Sequence, residues 1–380
     1  MRRFLNPFIL TVTALLAAGY AYAAWRLAAE GIPAAFLALP FVLTWLVPVV
    51  YWSNGREGHG PWDEFLHAAG YMSMGWLNFL ILLLLARDLL LGLTTWLVDL
   101  PWLHRLLTAD GTVLVLSGSF LALGLGILAA FRGPHVRQVR IPVKGLDPGL
   151  EGLRIVQISD LHVGPTIDVL YVRRVVELAN RLAPDLIALT GDIVDGPVER
   201  LAPHVAPLAE LVPRDRAFLV LGNHDYYSGA EAWTAHFRKL GLRVLLNESA
   251  VVMRGGARIV VGGVLDPAVR LFDPDQAPRP DLANAREVGR ALRLLLAHNP
   301  KLAPLAEKAG FDLQLSGHTH AGQFFPWTLV VRWIHAPHGA GLSRRGRLWV
   351  YVSAGTGTWG PPVRFGTQPE LTLLHLVAAG

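Results

Sequence analysis

Four stretches in the first third of the chain contain no Asp, Glu, Lys or Arg: Phe4–Trp25, Gly31–Gly55, Phe65–Ala86 and Gly111–Phe131, of 22, 25, 22 and 21 residues. A bilayer core about 30 Å thick is crossed by roughly 20 apolar residues in helical form. Each run is therefore long enough to span one. A single run of this kind could be the central helix of a large soluble core, but four in succession argue for a lipid solvent. The distribution of charge agrees. Residues 1–140 hold 9 basic and 7 acidic side chains, whereas residues 141–380 hold 25 and 22.

Details of the runs fit that reading. Pro33, Pro40 and Pro48 fall in the second run, and bilayer helices tolerate proline better than soluble ones. Trp25, Trp45, Tyr51, Trp52 and Trp62 lie near expected helix ends, where amphipathic rings favour the interface. The segment Leu89–Leu107 reads either as an interfacial helix or as an extension of the third span past Arg87 and Asp88. Met1-Arg2-Arg3 with Ala21-Tyr22-Ala23 has the form of a signal peptide, but three further runs favour an uncleaved anchor. Arg2, Arg3, Arg56, Arg132, Arg137, Arg140 and Lys144 fall in proposed inner segments, and Arg26, Arg87 and Arg105 in outer ones. By the positive-inside rule the C-terminal domain is expected in the cytoplasm.

The net charge of +5 is mild and spread over both parts. It gives no clustered basic face, so a nucleic-acid partner is not expected. The absence of Cys removes disulfides and thiolate metal sites and says nothing about redox compartment.

From about Ile141 the texture changes. Strands are expected at 154–159, 185–190, 217–221, 258–261, 293–297, 312–315, 348–353 and 371–377. Helices are expected at 169–182, 199–211, 230–240, 284–291 and 301–309, with a proline-rich surface loop at 266–281. Such alternation predicts an α/β sandwich with mixed sheets. The chain then reads as a four-helix membrane region (1–132), a linker with a first strand (133–150) and a domain over 151–380.

Polar residues gather where those strands end: Ser159-Asp160-Leu161-His162, Gly191-Asp192-Ile193-Val194-Asp195, Gly222-Asn223-His224-Asp225, Ala297-His298-Asn299-Pro300 and Ser316-Gly317-His318-Thr319-His320. Ligands of α/β sheets collect at the carboxyl ends of strands. Asp, Asn and His are oxygen and nitrogen donors suited to Mn, Fe or Zn. In Asp160-x-His162 and His318-x-His320, residues two apart on an extended segment point the same way. A glycine before Asp192, Asn223 and His318 is expected to let the chain turn at the strand end.

These five ordered blocks (DLH, GDIVD, GNHD, AHNP, GHTH) resemble the calcineurin-like metallophosphoesterases over about residues 150–380. The ending Ala354–Gly360, with Arg364 after it, looks like the membrane-associated bacterial branch, which includes enzymes similar to UDP-2,3-diacylglucosamine hydrolases. The resemblance implies two divalent metal ions, Mn²⁺ first, with Fe or Zn as alternatives. It implies that Asp160, His162 and His320 bind one metal, that Asn223, His298 and His318 bind the other, and that Asp192 bridges them. His224 then faces the substrate as a catalytic group, and Asp225 beside it orients a ring or helps shape the site. A hydroxide bridging the metals attacks phosphorus in line with the leaving oxygen. The expected protein is a multi-pass enzyme of a bacterial-type plasma membrane, acting on a phosphodiester or pyrophosphate in a lipid-linked substrate. Soluble nucleotides or phosphoproteins are the alternative substrates, and a non-catalytic scaffold the alternative class. Asp195 is read as a turn or supporting group, His335 and His338 as surface-loop residues, and Arg364 as either a phosphate contact or a salt-bridge residue.

Overall fold

The computed structural model describes residues 7–46, 61–97 and 99–379. The chain divides into two units, Met1–Leu128 with Gly360–Val363, and Ala129–Trp359 with Arg364–Gly380.

The first unit is helical: α1 (Pro7–Ala29), α2 (Ala38–Leu46), α3 (Pro61–Trp96), α4 (Pro101–Ala109) and α5 (Gly111–Phe131). Two helices, Phe65–Trp96 and Gly111–Phe131, are long and apolar enough to cross a membrane by length and composition. The second charge-free run differs from expectation. A 3₁₀ turn at Ala34–Leu37 follows Pro33 and leads into the short α2, while residues 47–55 lie outside the described residues. Residues 4–6 of the first run do too. The ambiguity over Leu89–Leu107 resolves into both alternatives: α3 continues past Arg87 and Asp88 to Trp96, and a separate α4 starts at Pro101. The two charges are tolerated because they are paired. Asp88 lies 2.7 Å from Arg26 Nη2 and accepts from the Tyr22 hydroxyl at 2.7 Å. Arg87 donates to Thr112 Oγ1 at 3.0 Å and approaches Glu30 at 3.8 Å. Arg87 is thus inside a helix and not in an outer loop, as are Arg26 in α1 and Arg105 in α4.

The second unit is a sandwich of two six-stranded mixed sheets. In chain order the strands are β1 (His135–Val143), β2 (Arg154–Ile158), β3 (Leu186–Leu189), β4 (Ala217–Leu219), β5 (Arg243–Val244), β6 (Glu248–Arg254), β7 (Ala257–Gly263), β8 (Leu292–Leu296), β9 (Leu313–Ser316), β10 (Gly341–Arg345), β11 (Leu348–Val352) and β12 (Glu370–Ala378). One sheet has the order β1-β12-β2-β3-β4-β5, the other β10-β11-β9-β8-β7-β6. Strand alternation sends each sheet's side chains two ways. Ile155, Leu186, Ala188 and Phe218 of one sheet join Ile259, Val261, Leu294 and Leu315 of the other in the central core. Val156, Ile158, Ile187 and Leu189 face outward beneath α6 (Val169–Arg181), α7 (Val198–Val205), α8 (Asn223–Tyr227) and α9 (Ala230–Lys239). Leu295, Val350 and Val352 of the second sheet lie under α10 (Ala303–Ala309). The apolar side of α6 is the one its spacing predicts: Val172, Val175, Val176 and Ala179 are buried, and Asp168 caps its start by accepting from the Tyr171 N–H at 3.0 Å.

Three expectations fail locally. The stretch 284–291 is not a helix and holds only a 3₁₀ turn at Arg286–Val288. Within 199–211 the α-helix stops at Val205, two residues past Pro203, and a 3₁₀ segment completes it. Strand β1 falls in the linker where a first strand was expected, whereas strands β5, β6 and β10, the short helix α8 and a helix α11 at Trp327–Ile334 were not expected.

Candidate metal centre

The strands β2, β3 and β4 run parallel in one sheet, and β8 and β9 run parallel in the other. All five deliver their carboxyl-terminal loops to one edge of the sandwich. Every sequence-predicted ligand arrives there.

Two clusters form. In the first, His162 Nε2 and His320 Nε2 stand 3.0 Å apart, and Asp160 Oδ1 is 3.5 Å from His320 Nε2. In the second, Asp192 Oδ2 lies 3.1 Å from His298 Nε2, and Asn223 Oδ1 lies 3.0 Å from His318 Nδ1. The same Asp192 oxygen is 3.7 Å from His162 Nε2, so it sits between the clusters. Its other oxygen accepts the His224 N–H at 2.8 Å.

Two imidazoles are oriented for ligation by their far nitrogens. The His298 Nδ1 faces the Thr190 carbonyl at 2.8 Å. A carbonyl only accepts, so in the neutral ring the proton sits on Nδ1 and Nε2 is the nitrogen left to ligate, while Asp192 beside it outweighs burial and raises His298 well above its ordinary value. The His162 Nδ1 is held by both oxygens of Asp195, at 3.0 and 3.1 Å, which aims its Nε2 at the first cluster. Such partners fix tautomer and ring plane at metal sites. The fit to cations shows in what is left over. His298 Nε2 and Asp160 Oδ2 are buried with no hydrogen-bond partner, an arrangement that is costly unless something else satisfies those atoms. The groups Asp160–His162–His320 and Asp192–His298–His318 have the donor spacing of a metal site.

Electrostatics divide the roles. Burial pushes His318 down to about 3, with His298 adding to the effect, and burial also drives His320 well down. Both are neutral donors at ordinary pH. Burial raises Asp160, whereas in Asp192 His298 and His224 outweigh burial and hold the carboxyl well below the usual range. His224 goes the other way. Burial would lower it, but Asp195 and Asp192 outweigh this and raise it to about 9.

The loop backbones differ from expectation. Asp160, His162, Asp192, His318 and His320 all have positive φ, from 49° to 72°. The paired ligands therefore converge through left-handed turns, not along an extended segment, and such strain in non-glycine residues concentrates at functional sites. Of the three glycines expected to turn the chain, Gly191 does so with φ 88°, and the other two act otherwise. Gly222 and Gly317 have no positive φ. Their need is space: a Cβ at Gly222 would collide with Asp192, and one at Gly317 with Ser159 and Asp160.

Five further residues acquire definite places. Asp195 is no mere turn residue, since it pairs with His224 Nδ1 at 2.8 Å as well as with His162. Asp225 is wholly buried and accepts the N–H groups of Ile193, Val194 and Gly222 at 2.9, 3.1 and 2.8 Å. Of the roles expected for it, shaping the site is the one this geometry serves. Arg364 forms no ion pair with a carboxylate among the described residues. It is buried and donates to the carbonyls of His320, Ala354, Gly355 and Gly357. His338 is buried against Ser343 Oγ at 2.7 Å, and the His335 ring stands 5.9 Å from that of His318. Sequence reading missed Tyr227 and Trp359, whose rings flank His224 at 5.5 and 5.8 Å.

Residues 153–322 match the model of the calcineurin-like phosphoesterases. An uncharacterized metallophosphoesterase of Aquifex aeolicus is 32% identical over 65% of this chain and 93% of that protein. A "transmembrane protein with metallophosphoesterase domain" of Danio rerio is 35% identical over 70% of this chain. An uncharacterized metallophosphoesterase of Helicobacter pylori is 34% identical over 66% of each chain. The match spans 63% of the Danio rerio protein's length, less than two thirds.

Proposed function

We propose that this chain, which belongs to the calcineurin-like phosphoesterase family, is a metal-dependent hydrolase that cleaves a phosphodiester or pyrophosphate bond in a lipid-linked substrate. One observation carries the metal reading: Asp192 Oδ2 lies between two clusters of histidine nitrogens, 3.1 Å from His298 and 3.7 Å from His162. Asp160, His162 and His320 would hold one divalent cation, Asn223, His298 and His318 a second, and Asp192 would serve both.

When bound, two such cations neutralise phosphoryl oxygens and acidify a water. The chain's own residues do the rest. His298 and His162 are locked in one tautomer by Thr190 and Asp195. His224, held through Nδ1 by Asp195, stands beside the clusters as a donor to phosphoryl oxygen or to the leaving alkoxide. Tyr227 and Trp359 wall that side.

The lipid-linked substrate draws support from the apolar helices and from chain length. The long apolar α5 ends at Phe131 and β1 begins at His135. Three intervening residues reach about 10 Å when extended. The membrane reading is of a multi-pass protein of a bacterial-type plasma membrane with the sandwich on the cytoplasmic side, and Mn²⁺ is the metal pair we favour. Purified protein should be assayed, after chelation and Mn²⁺ return, on a soluble chromogenic phosphodiester, a phosphomonoester, a nucleotide-linked diacyl glycolipid and phospholipids. Preference for a lipid substrate with metal-dependent turnover is expected. Equal turnover of the soluble diester would remove the lipid reading, and no metal-dependent turnover of any ester would remove the whole.

A further inference from the structure

We propose that the rim of the metal site is a bilayer-docking surface, formed by the outward apolar side of α11 on one flank and by Tyr227, Leu271 and Phe272 on the other. This deepens the lipid-linked reading and rests on it for the substrate, while docking itself is tested separately.

Helix α11 (WTLVVRWI) follows directly on the Gly317–His320 loop, and none of its residues is buried. At helical spacing Trp327, Leu329, Val330, Val331, Trp333 and Ile334 sweep an arc of about 200°, leaving Thr328 and Arg332 for the remainder. A soluble helix turns such an arc inward. Here the domain meets only the helix backbone on the Thr328 side: a Cβ at Gly322 would collide with the Thr328 backbone, and one at Gly339 would stand 3.1 Å from Arg332 Cα. Leu329, Trp333 and Ile334 remain 59%, 82% and 52% exposed. Across the site, Leu271 and Phe272 are 73% and 58% exposed, and Tyr227 is 55% exposed.

The two patches bracket the chemistry. His335, at the end of α11, lies 5.9 Å from His318, whereas Tyr227 lies 5.5 Å from His224 and 6.2 Å from Phe272. An apolar rim around a polar centre marks an interaction surface. A bilayer is the occupant this chain favours. Trp and Leu beside an exposed Arg332 are the composition of interfacial segments, which sit about 5–10 Å into the headgroup boundary. Three residues link α5 to β1, so a spanning α5 keeps this domain within reach of that boundary, a constraint a second copy would not share.

The chain has no Cys, so single-cysteine variants take a probe cleanly. Full-length W333C and L271C, and M253C as a control on β6, would carry a polarity-sensitive fluorophore in vesicles of phosphatidylcholine with a minority of phosphatidylglycerol. Doxyl-labelled acyl chains and aqueous iodide serve as the two quenchers. At 333 and 271 we expect quenching by shallow doxyl lipid and at least a threefold drop in iodide accessibility relative to 253. Iodide accessibility equal to the control would overturn the proposal. Shielding from iodide without doxyl quenching, varying with protein density, would overturn it in favour of a second copy. In parallel, L329D/W333D should lose about tenfold or more in kcat/KM on vesicle-borne substrate and keep its rate on soluble bis(p-nitrophenyl) phosphate. Equal loss on both would contradict docking. Failure of the unmodified protein to cleave either substrate would count against the proposed function, leaving the quenching result to decide docking.

Discussion

Asp192 and His224 separate metal binding from chemistry. Asp192→Asn keeps the shape but removes the charge that sits between the two histidine clusters. It should lose metal, measured by elemental analysis, together with activity. His224→Ala leaves every proposed ligand in place, so metal content should hold while kcat falls about 10²–10⁴-fold, the usual range for a lost acid–base group. Equal metal loss in both variants would mean that His224 is itself a ligand. Asp195→Asn should lower kcat roughly 10–100-fold, since a partner that orients ligands acts at that scale. A Asp195→Asn enzyme with unchanged turnover would reduce Asp195 to a turn residue. The residue types of the site were legible in the sequence because five blocks carry them in order. The double contact of Asp195 was not, because His162 and His224 lie 33 and 29 positions away, and no local spacing encodes that meeting.

Loops between strands and helices set the precision of the site. Gly317 lies against Ser159 and Asp160 with no room for a methyl group. Gly317→Ala should therefore cost most of the activity and metal affinity while far-ultraviolet circular dichroism stays near that of the parent, because the clash lies in a loop. The α6 cap tests the opposite case. Asp168→Ala removes an N-cap hydrogen bond and should cost about 1 kcal/mol, read from denaturant unfolding, with ligand geometry untouched. Core strands such as β2 and β3 were legible because largely apolar runs end in polar turns. The stretch 284–291 misled because its apolar spacing suits a helix, yet Gly289 adopts φ 72° and the segment stays a turn. No element was expected over α11, whose Leu329, Trp333 and Ile334 stand exposed. The paired residues converge as expected but for another reason, since left-handed turns do what extended backbone was expected to do.

At the scale of the molecule, an apolar helical unit and a two-sheet unit divide the work. Charged Arg87 and Asp88 inside α3 are matched by Glu30, Arg26 and Tyr22. Chelator treatment should abolish hydrolysis and Mn²⁺ should restore it, with the sandwich's secondary structure retained throughout. Stability of the fold without metal is expected from its large sheet-to-sheet core, so loss of folding on chelation would show the ions to be structural. The central claim is that two divalent cations share Asp192. Anomalous diffraction from Mn²⁺-loaded crystals tests it most directly. The account predicts two peaks about 4 Å apart, one beside Asp160, His162 and His320 and one beside Asn223, His298 and His318, with Asp192 touching both. A single peak, or two that leave Asp192 in contact with neither or only one, would contradict it.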